Sequence, residues 1–224
     1  MPSASHFEPF FDRDWEPQVR GYLHRPENSA AGLILAHGAG TNAQAPLLIA
    51  LAEAFCVEGV TVLRVDLPYR QLRPHGPPGP GDAGRDREGL NNAVAAVRKL
   101  VPGRIFLGGH SYGGRQATML CAADPELVNG LLLLSYPLHP PRKAEQLRVQ
   151  HLPNLRNPSL FVHGTRDPFG SVGEVQEALK LIPAETRLLA VEGAGHDLNF
   201  MKKVGASLPA EVVAAFQEFF RKGC

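Results

Sequence analysis

Leu107-Gly108-Gly109-His110-Ser111-Tyr112-Gly113-Gly114 is the stretch on which the reading of this chain turns. Before it stands an apolar run with strand character, Arg104-Ile105-Phe106-Leu107, and after it a helix-forming run from Arg115 to Ala123. The serine between them is bracketed by glycines as G-x-S-x-G, here Gly109-His110-Ser111-Tyr112-Gly113. A residue at so sharp a strand-to-helix turn is forced into a strained backbone conformation, and its neighbours two positions away must carry almost no side chain. The turn exposes the serine Oγ at the positive end of a helix, where developing negative charge is stabilised. Glycine and serine are also ordinary turn residues. The pattern alone therefore does not separate a nucleophile from an incidental serine.

The flanking chain supplies the context. Upstream, Gln18 to His24 reads as a strand after an N-terminal arm or short strand, Met1 to Trp15. Gly32 to His37 is a continuous apolar run of the kind that fills a strand buried on both faces, and it stops at Gly38-Ala39-Gly40-Thr41-Asn42. A helix follows from Pro46 to Glu58, then a strand from Val60 to Val65 that ends at Asp66. From Pro68 to Gly84, prolines and glycines interleave so densely that no regular element is expected. Arg85 to Leu100 reads as a helix. Downstream of the serine turn come a strand over Asn129 to Ser135 and a proline-containing excursion over 136–157 with a short helix around Arg142 to Val149. A strand over Ser159 to His163 leads to Asp167, a helix spans Gly173 to Ile182, and a last strand over Thr186 to Val191 leads to His196. An amphipathic helix, Pro209 to Arg221, closes the chain. This alternation predicts a single α/β domain over residues 1–224, with a mostly parallel central sheet flanked by helices on both faces.

Bulk properties narrow the function. The formal net charge is +1 over 224 residues, with Lys and Arg scattered, which argues against a nucleic-acid partner. The three cysteines, Cys56, Cys121 and Cys224, form no C-x-x-C pair and no even framework, so a reducing, cytoplasmic setting is expected. The first residues lack a basic patch followed by an apolar core, and no apolar run approaches the roughly 20 residues a membrane span needs. No H-x-H or H-E-x-x-H spacing occurs among the nine histidines, so no metal site is expected.

In a parallel sheet, ligands gather outside the carboxyl ends of the strands. Four of these ends carry suggestive chemistry: the Gly38-Ala39-Gly40 loop, Ser111, Asp167 and His196. A serine hydroxyl needs an imidazole to take its proton, and the imidazole needs an acid to orient it. Ser111, Asp167 and His196 fall in the chain order expected for a nucleophile-elbow hydrolase. Rival acids are Asp66, Asp124 and Glu192; rival histidines are His37, His110 and His163. The amide of Tyr112 is the first oxyanion donor, and Ala39 is favoured for the second, with Gly40 in reserve. Basic residues in the two excursions, among them Arg70, Arg73, Arg85, Arg142, Lys143 and Arg148, read either as solvated loop charges or as ligands for a substrate carboxylate or phosphate. Arg115, just past the elbow, reads as a helix-surface residue.

Taken together, His37-Gly38-Ala39-Gly40, Gly109 to Gly113, His163-Gly164-Thr165-Arg166-Asp167 and Gly193-Ala194-Gly195-His196-Asp197 resemble the motifs of the α/β-hydrolase family. More narrowly, Ser135 to Pro141 and Asp167-Pro168-Phe169-Gly170 resemble small bacterial hydrolases related to the testis-expressed hydrolase-like protein and to the hydrolase-like subunit of a histone-acetylation complex. The resemblance implies an eight-stranded sheet with one early antiparallel strand and, in this chain, almost no lid. It also implies a cofactor-free serine hydrolase working through an acyl-enzyme on an ester or related acyl bond, and with so little lid, small acyl substrates are expected. Two other readings compete. Gly38-Ala39-Gly40-Thr41-Asn42-Ala43 with Asp66 fits a dinucleotide-binding turn, and a hydrolase fold can serve as a non-catalytic binding scaffold.

Overall fold

A computed structural model describes residues 7–198 and 207–221. Residues 1–6 of the expected N-terminal arm, and Cys224, lie outside the described residues. Eight strands form one sheet in the order β1-β2-β4-β3-β5-β6-β7-β8. They are β1 (Phe7–Asp12), β2 (Val19–His24), β3 (Ala31–Ala36), β4 (Val60–Val65), β5 (Arg104–His110), β6 (Gly130–Leu134), β7 (Ser159–Gly164) and β8 (Thr186–Val191). Strand β2 pairs antiparallel with both β1 and β4, and every pair from β4 to β8 is parallel. The sheet is thus mostly parallel with one early reversed strand.

Among the described residues six α-helices cover it: α1 (Pro46–Val57), α2 (Pro68–Leu72), α3 (Asp82–Arg98), α4 (Tyr112–Ala123), α5 (Val172–Leu179) and α6 (Leu208–Arg221). The two-residue period of the strands sorts their side chains to opposite faces. Leu33 and Leu35 of β3 pack with α1 and α6, whereas Ile34 and Ala36 join the cluster containing Val94 and Val97 of α3 and Ala117 and Cys121 of α4. Both sides of β3 are fully buried, which is why its sequence reads as an unbroken apolar run. On the α1/α6 side, Phe106 sits against Phe216 and Phe220, each with ring centroids 4.8 Å away.

Two expectations are corrected. The proline- and glycine-rich stretch is not wholly irregular: Pro68 takes the first turn of α2, where a missing N–H does no harm, and α3 begins at Asp82 rather than Arg85. The helix expected around Arg142 to Val149 is absent; that stretch runs through turns, and the only helical turn of the excursion is a 3₁₀ turn at Leu152–Asn154. Its backbone is instead fixed by tertiary bonds, Arg148 N–H to Leu138 O at 2.8 Å and Tyr136 Oη to Arg148 O at 2.7 Å. Among the described residues no helix is long and apolar enough to cross a membrane.

Candidate active site

Strand β5 lies in the middle of the sheet, and its chain turns directly into α4 at Ser111. Ser111 has φ 52° and ψ −115°, a conformation that strains any residue with a side chain. The bracketing glycines explain how it fits. A Cβ at Gly109 would lie 2.5 Å from the carbonyl oxygen of Ala36, and one at Gly113 would lie 2.6 Å from that of His37. The turn is therefore wedged against the end of β3, with the Ser111 N–H tied to Leu134 O of β6 at 2.8 Å.

His196 follows β8 and Asp167 follows β7. His196 Nε2 is 2.8 Å from Ser111 Oγ, and His196 Nδ1 is 2.8 Å from Asp167 Oδ2. The acid is 5% exposed and has no freedom to turn: its Oδ1 accepts the Phe169 N–H at 2.8 Å. With Oδ2 fixed, the carboxylate holds the proton of the imidazole on Nδ1 and leaves Nε2 as an acceptor facing the hydroxyl.

The loop after β3 runs alongside Ser111. A Cβ at Gly38 would come within 3.6 Å of Ser111 Cβ and 2.9 Å of His110 Nδ1, so only glycine allows this approach. The Gly38 carbonyl accepts from Thr41 N–H at 3.2 Å and Tyr69 Oη at 3.3 Å. The imidazole of His37, whose Nε2 accepts the Leu67 N–H at 3.1 Å, must carry its proton on Nδ1 and give it to the same carbonyl at 2.8 Å. A trans peptide sets its N–H opposite its C=O; anchoring Gly38 O in that cluster therefore turns the Ala39 N–H the other way. The Tyr112 N–H is the first amide of α4 and has no carbonyl one turn behind it.

The sequence is similar to known proteins across most of its length. It matches the family described as an alpha/beta hydrolase domain over residues 29–221. The chain belongs to the alpha/beta hydrolase family. Similar folds include a dienelactone hydrolase from Anabaena variabilis, at 20% identity and TM-score 0.75 over 97% of both chains. Est1E from Butyrivibrio proteoclasticus, with ferulic acid bound, is 19% identical at TM-score 0.72 over 91% of this chain and 96% of its own. XC6422 from Xanthomonas campestris, an α/β serine hydrolase without a lid, is 18% identical at TM-score 0.64 over 99% of this chain and 96% of its own. At these identities the likeness is one of fold.

The rival residues of this alpha/beta hydrolase are committed elsewhere. Asp66 Oδ1 accepts the Ala43 N–H at 2.8 Å, and Asp124 and Glu192 are exposed. His163 Nε2 donates to Gly170 O at 2.7 Å, its approach to Asp167 being a looser 3.9 Å. His37 is wholly buried, and that burial pushes its pKa down to about 4, which keeps it neutral. His110 is also held below the ordinary imidazole range, first by burial, and its Nε2–H donates to His196 O at 2.8 Å. That bond ties the histidine loop back to the serine strand.

Sequence reasoning missed several supports. Phe169 stacks on the His196 ring at 4.1 Å. Asp86 accepts from Tyr112 Oη at 2.7 Å and Tyr69 N–H at 3.0 Å, while burial raises its pKa. Arg70 is not a solvated loop charge. It is buried, donating from Nε to Thr41 O at 2.8 Å and from Nη2 to Ala39 O at 3.1 Å, while Tyr69 Oη also reaches Ala39 O at 2.9 Å. A basic residue directly after a Pro-Tyr pair at a strand end gave no hint of this role. Arg73 and Arg85 do carry surface ion pairs, to Asp82 and Glu16, and Arg142 and Lys143 are exposed.

Proposed function

We propose that the protein is a serine hydrolase that cleaves an ester or related acyl bond. The observation that carries this reading is the unbroken relay from Ser111 Oγ through His196 to Asp167, two contacts of 2.8 Å starting from a strained serine at the N-terminus of α4. Ser111 Oγ attacks the acyl carbon while His196 Nε2 takes its proton, and Asp167 stabilises the imidazolium. The amides of Tyr112 and Ala39 receive the oxyanion. His196 then gives the proton to the leaving group, the acyl group stays on Ser111, and a water activated by the same imidazole releases the acid. No cofactor or metal is called upon at any step.

The substrate side is an open mouth, since the chain inserts no helical lid between β6 and β7, only the 136–157 excursion. Beside the oxyanion loop, Thr41, Ala45, Pro46, Leu47 and Leu48 line an apolar cavity of about 130 Å³. A space of that size supports a small acyl group, as expected of the lid-poor bacterial hydrolases that the sequence resembles. The buried free thiols of Cys56 and Cys121 are compatible with a reducing cytoplasm. A dinucleotide-binding role is less attractive, because Asp66, which would have to meet a ribose hydroxyl, is occupied by Ala43.

A fluorophosphonate probe tests the reading. Labelling at Ser111 in the native protein, lost in Ser111→Ala, is the expected result; a native protein that takes no label would overturn it. The scaffold alternative predicts the same absence of labelling together with no turnover of p-nitrophenyl esters.

A further inference from the structure

One helical turn past Ser111, α4 presents Arg115, and around it the fold gathers positive charge that no acid pairs among the described residues. Arg87 reaches across from α3 to donate to Gln116 Oε1 at 2.9 Å, and Arg148 arrives from the 136–157 excursion, where burial first and then the charge of Arg115 hold its pKa below the ordinary guanidinium range. We propose that this cluster, centred on Arg115, is an anion subsite that receives a carboxylate or phosphate group carried by the substrate. The proposal rests on the serine hydrolase reading of Ser111.

Three observations support it. First, among the described residues none of Arg87, Arg115 and Arg148 forms an ion pair with an acid. Asp86, next to Arg87 in sequence, is already taken up by Tyr112 and Tyr69. Clustered guanidinium groups repel one another and concentrate anions from solution. Second, two donors in the cluster are buried and unfilled: Nε of Arg115 and Nε2 of Gln116, a residue with 0% exposure. A donor buried without an acceptor is costly to the fold, and an oxyanion held by the Arg115 guanidinium supplies one. Arg115 itself is only partly buried, so the cluster opens to solvent.

Third, the other polar side chains around it add no charge: the Tyr136 hydroxyl, which shares a hydrogen bond with Arg115 and donates to Arg148 O at 2.7 Å, is kept protonated by burial, which raises its pKa to about 12. Thr118 Oγ1 spends its hydrogen on Arg115 O at 2.8 Å and accepts from His151 Nε2 at 2.8 Å. Burial, with Arg115 and Arg87 adding to it, pushes the His151 pKa down to about 4, so the ring is neutral and adds a bonded N–H rather than a further cation. Position matters as well. Arg115 stands one helical turn past Ser111, and side chains on a helix tilt toward its N-terminus, the end at which Ser111 sits.

The test compares esters that differ only in the far end of the acyl chain. p-Nitrophenyl valerate, mono-p-nitrophenyl glutarate and the p-nitrophenyl ester of 3-phosphonopropionic acid are assayed on the native protein, on Arg115→Gln and on Arg187→Gln. The last is a control on β8, whose arginine pairs with Glu218. At least one charged ester should exceed valerate in kcat/KM by roughly tenfold to a hundredfold, the range of a charge-assisted bond. Whichever charged ester gains names carboxylate or phosphate as the group. Arg115→Gln should bring the ratio near one through KM, while Arg187→Gln keeps it. A native ratio at or below one for both charged esters, or a ratio that survives Arg115→Gln, would overturn the proposal. If Arg115→Gln does not fold, Arg148→Gln carries the same expectation. Should no ester turn over and Ser111 take no fluorophosphonate, the hydrolase reading fails by itself. The subsite is then judged by calorimetry with glutarate and inorganic phosphate on the native protein: binding lost in Arg115→Gln supports it, and no binding of either sinks it.

Discussion

Phe169 holds both partners of the His196–Asp167 pair: its N–H donates to Asp167 Oδ1 at 2.8 Å, and its ring stacks on the His196 imidazole at 4.1 Å, with the planes 30° apart. The backbone bond would survive a change of side chain and the stacking would not. Aromatic stacking contributes about 0.5–1.5 kcal/mol beyond burial, which corresponds to roughly a threefold to tenfold effect. Phe169→Ala is expected to lower kcat by that factor with little change in KM, and Phe169→Tyr to restore it. Steady-state kinetics on p-nitrophenyl butyrate checks this; equal kcat in the Ala variant would mean that the ring does not hold the base.

Gly38 is the second sensitive point. An added Cβ would meet His110 Nδ1 at 2.9 Å and Ser111 Cβ at 3.6 Å. Because Tyr69 and Arg70 pin the carbonyls of this loop from the other side, the loop cannot retreat without breaking those bonds. Gly38→Ala should therefore displace the Ala39 amide from the oxyanion, and removing one such donor lowers kcat on the order of a hundredfold. Retained fluorophosphonate labelling with a depressed kcat is the expected pair of results. A kcat within threefold of native would show that the second donor lies elsewhere.

The fold was legible because buried parallel strands leave apolar runs whose ends are marked by glycine, and β3, β5 and β7 are of that kind. The positions of Ser111, Asp167 and His196 were legible for a related reason: each lies within the first five residues beyond a strand end, and topology brings the strand ends together. What escaped was the layer behind them. Arg70, Asp86 and Phe169 act through contacts with main-chain atoms or rings far away in sequence, and nothing in local spacing distinguishes them from loop residues. The Pro68–Gly84 stretch misled for a specific reason. Pro68 sits where proline starts a helix rather than where it breaks one.

Acid should destabilise the fold in a defined window. His37 and His24 are both wholly buried, and burial pushes each pKa down from 6.5 to about 4, with Arg64 adding to the effect at His24. The unfolded chain binds protons at these sites near pH 6.5, whereas the folded chain resists until about pH 4. The unfolded state therefore holds more protons in between, and stability is fully present above pH 6.5 and lost as pH falls through that window. Each group contributes on the order of 1–2 kcal/mol at pH 5. Urea unfolding at pH 7 and pH 5 should show the loss, and His37→Asn should reduce the difference. A midpoint independent of pH over this range would contradict the assignment of buried neutral imidazoles.

Asp167→Asn is the sharpest test of the relay. Both carboxylate oxygens are used as acceptors, Oδ1 by the Phe169 N–H and Oδ2 by the His196 ring. An asparagine offers one acceptor and one amide, and the Phe169 N–H claims the acceptor. The amide then faces His196 Nδ1 as a donor and forces the imidazole into the tautomer with its proton on Nε2. In that form Nε2 donates to Ser111 Oγ and cannot take its proton. The volume and the Phe169 bond are kept, so the melting temperature should move little while kcat falls by about 10³–10⁴, the effect known for a wrong tautomer in a serine relay. Substitution by Ala should give a comparable loss of kcat but a lower melting temperature. An Asn variant within tenfold of native kcat would show that Asp167 does not set the tautomer of His196 and would move the search for the acid elsewhere.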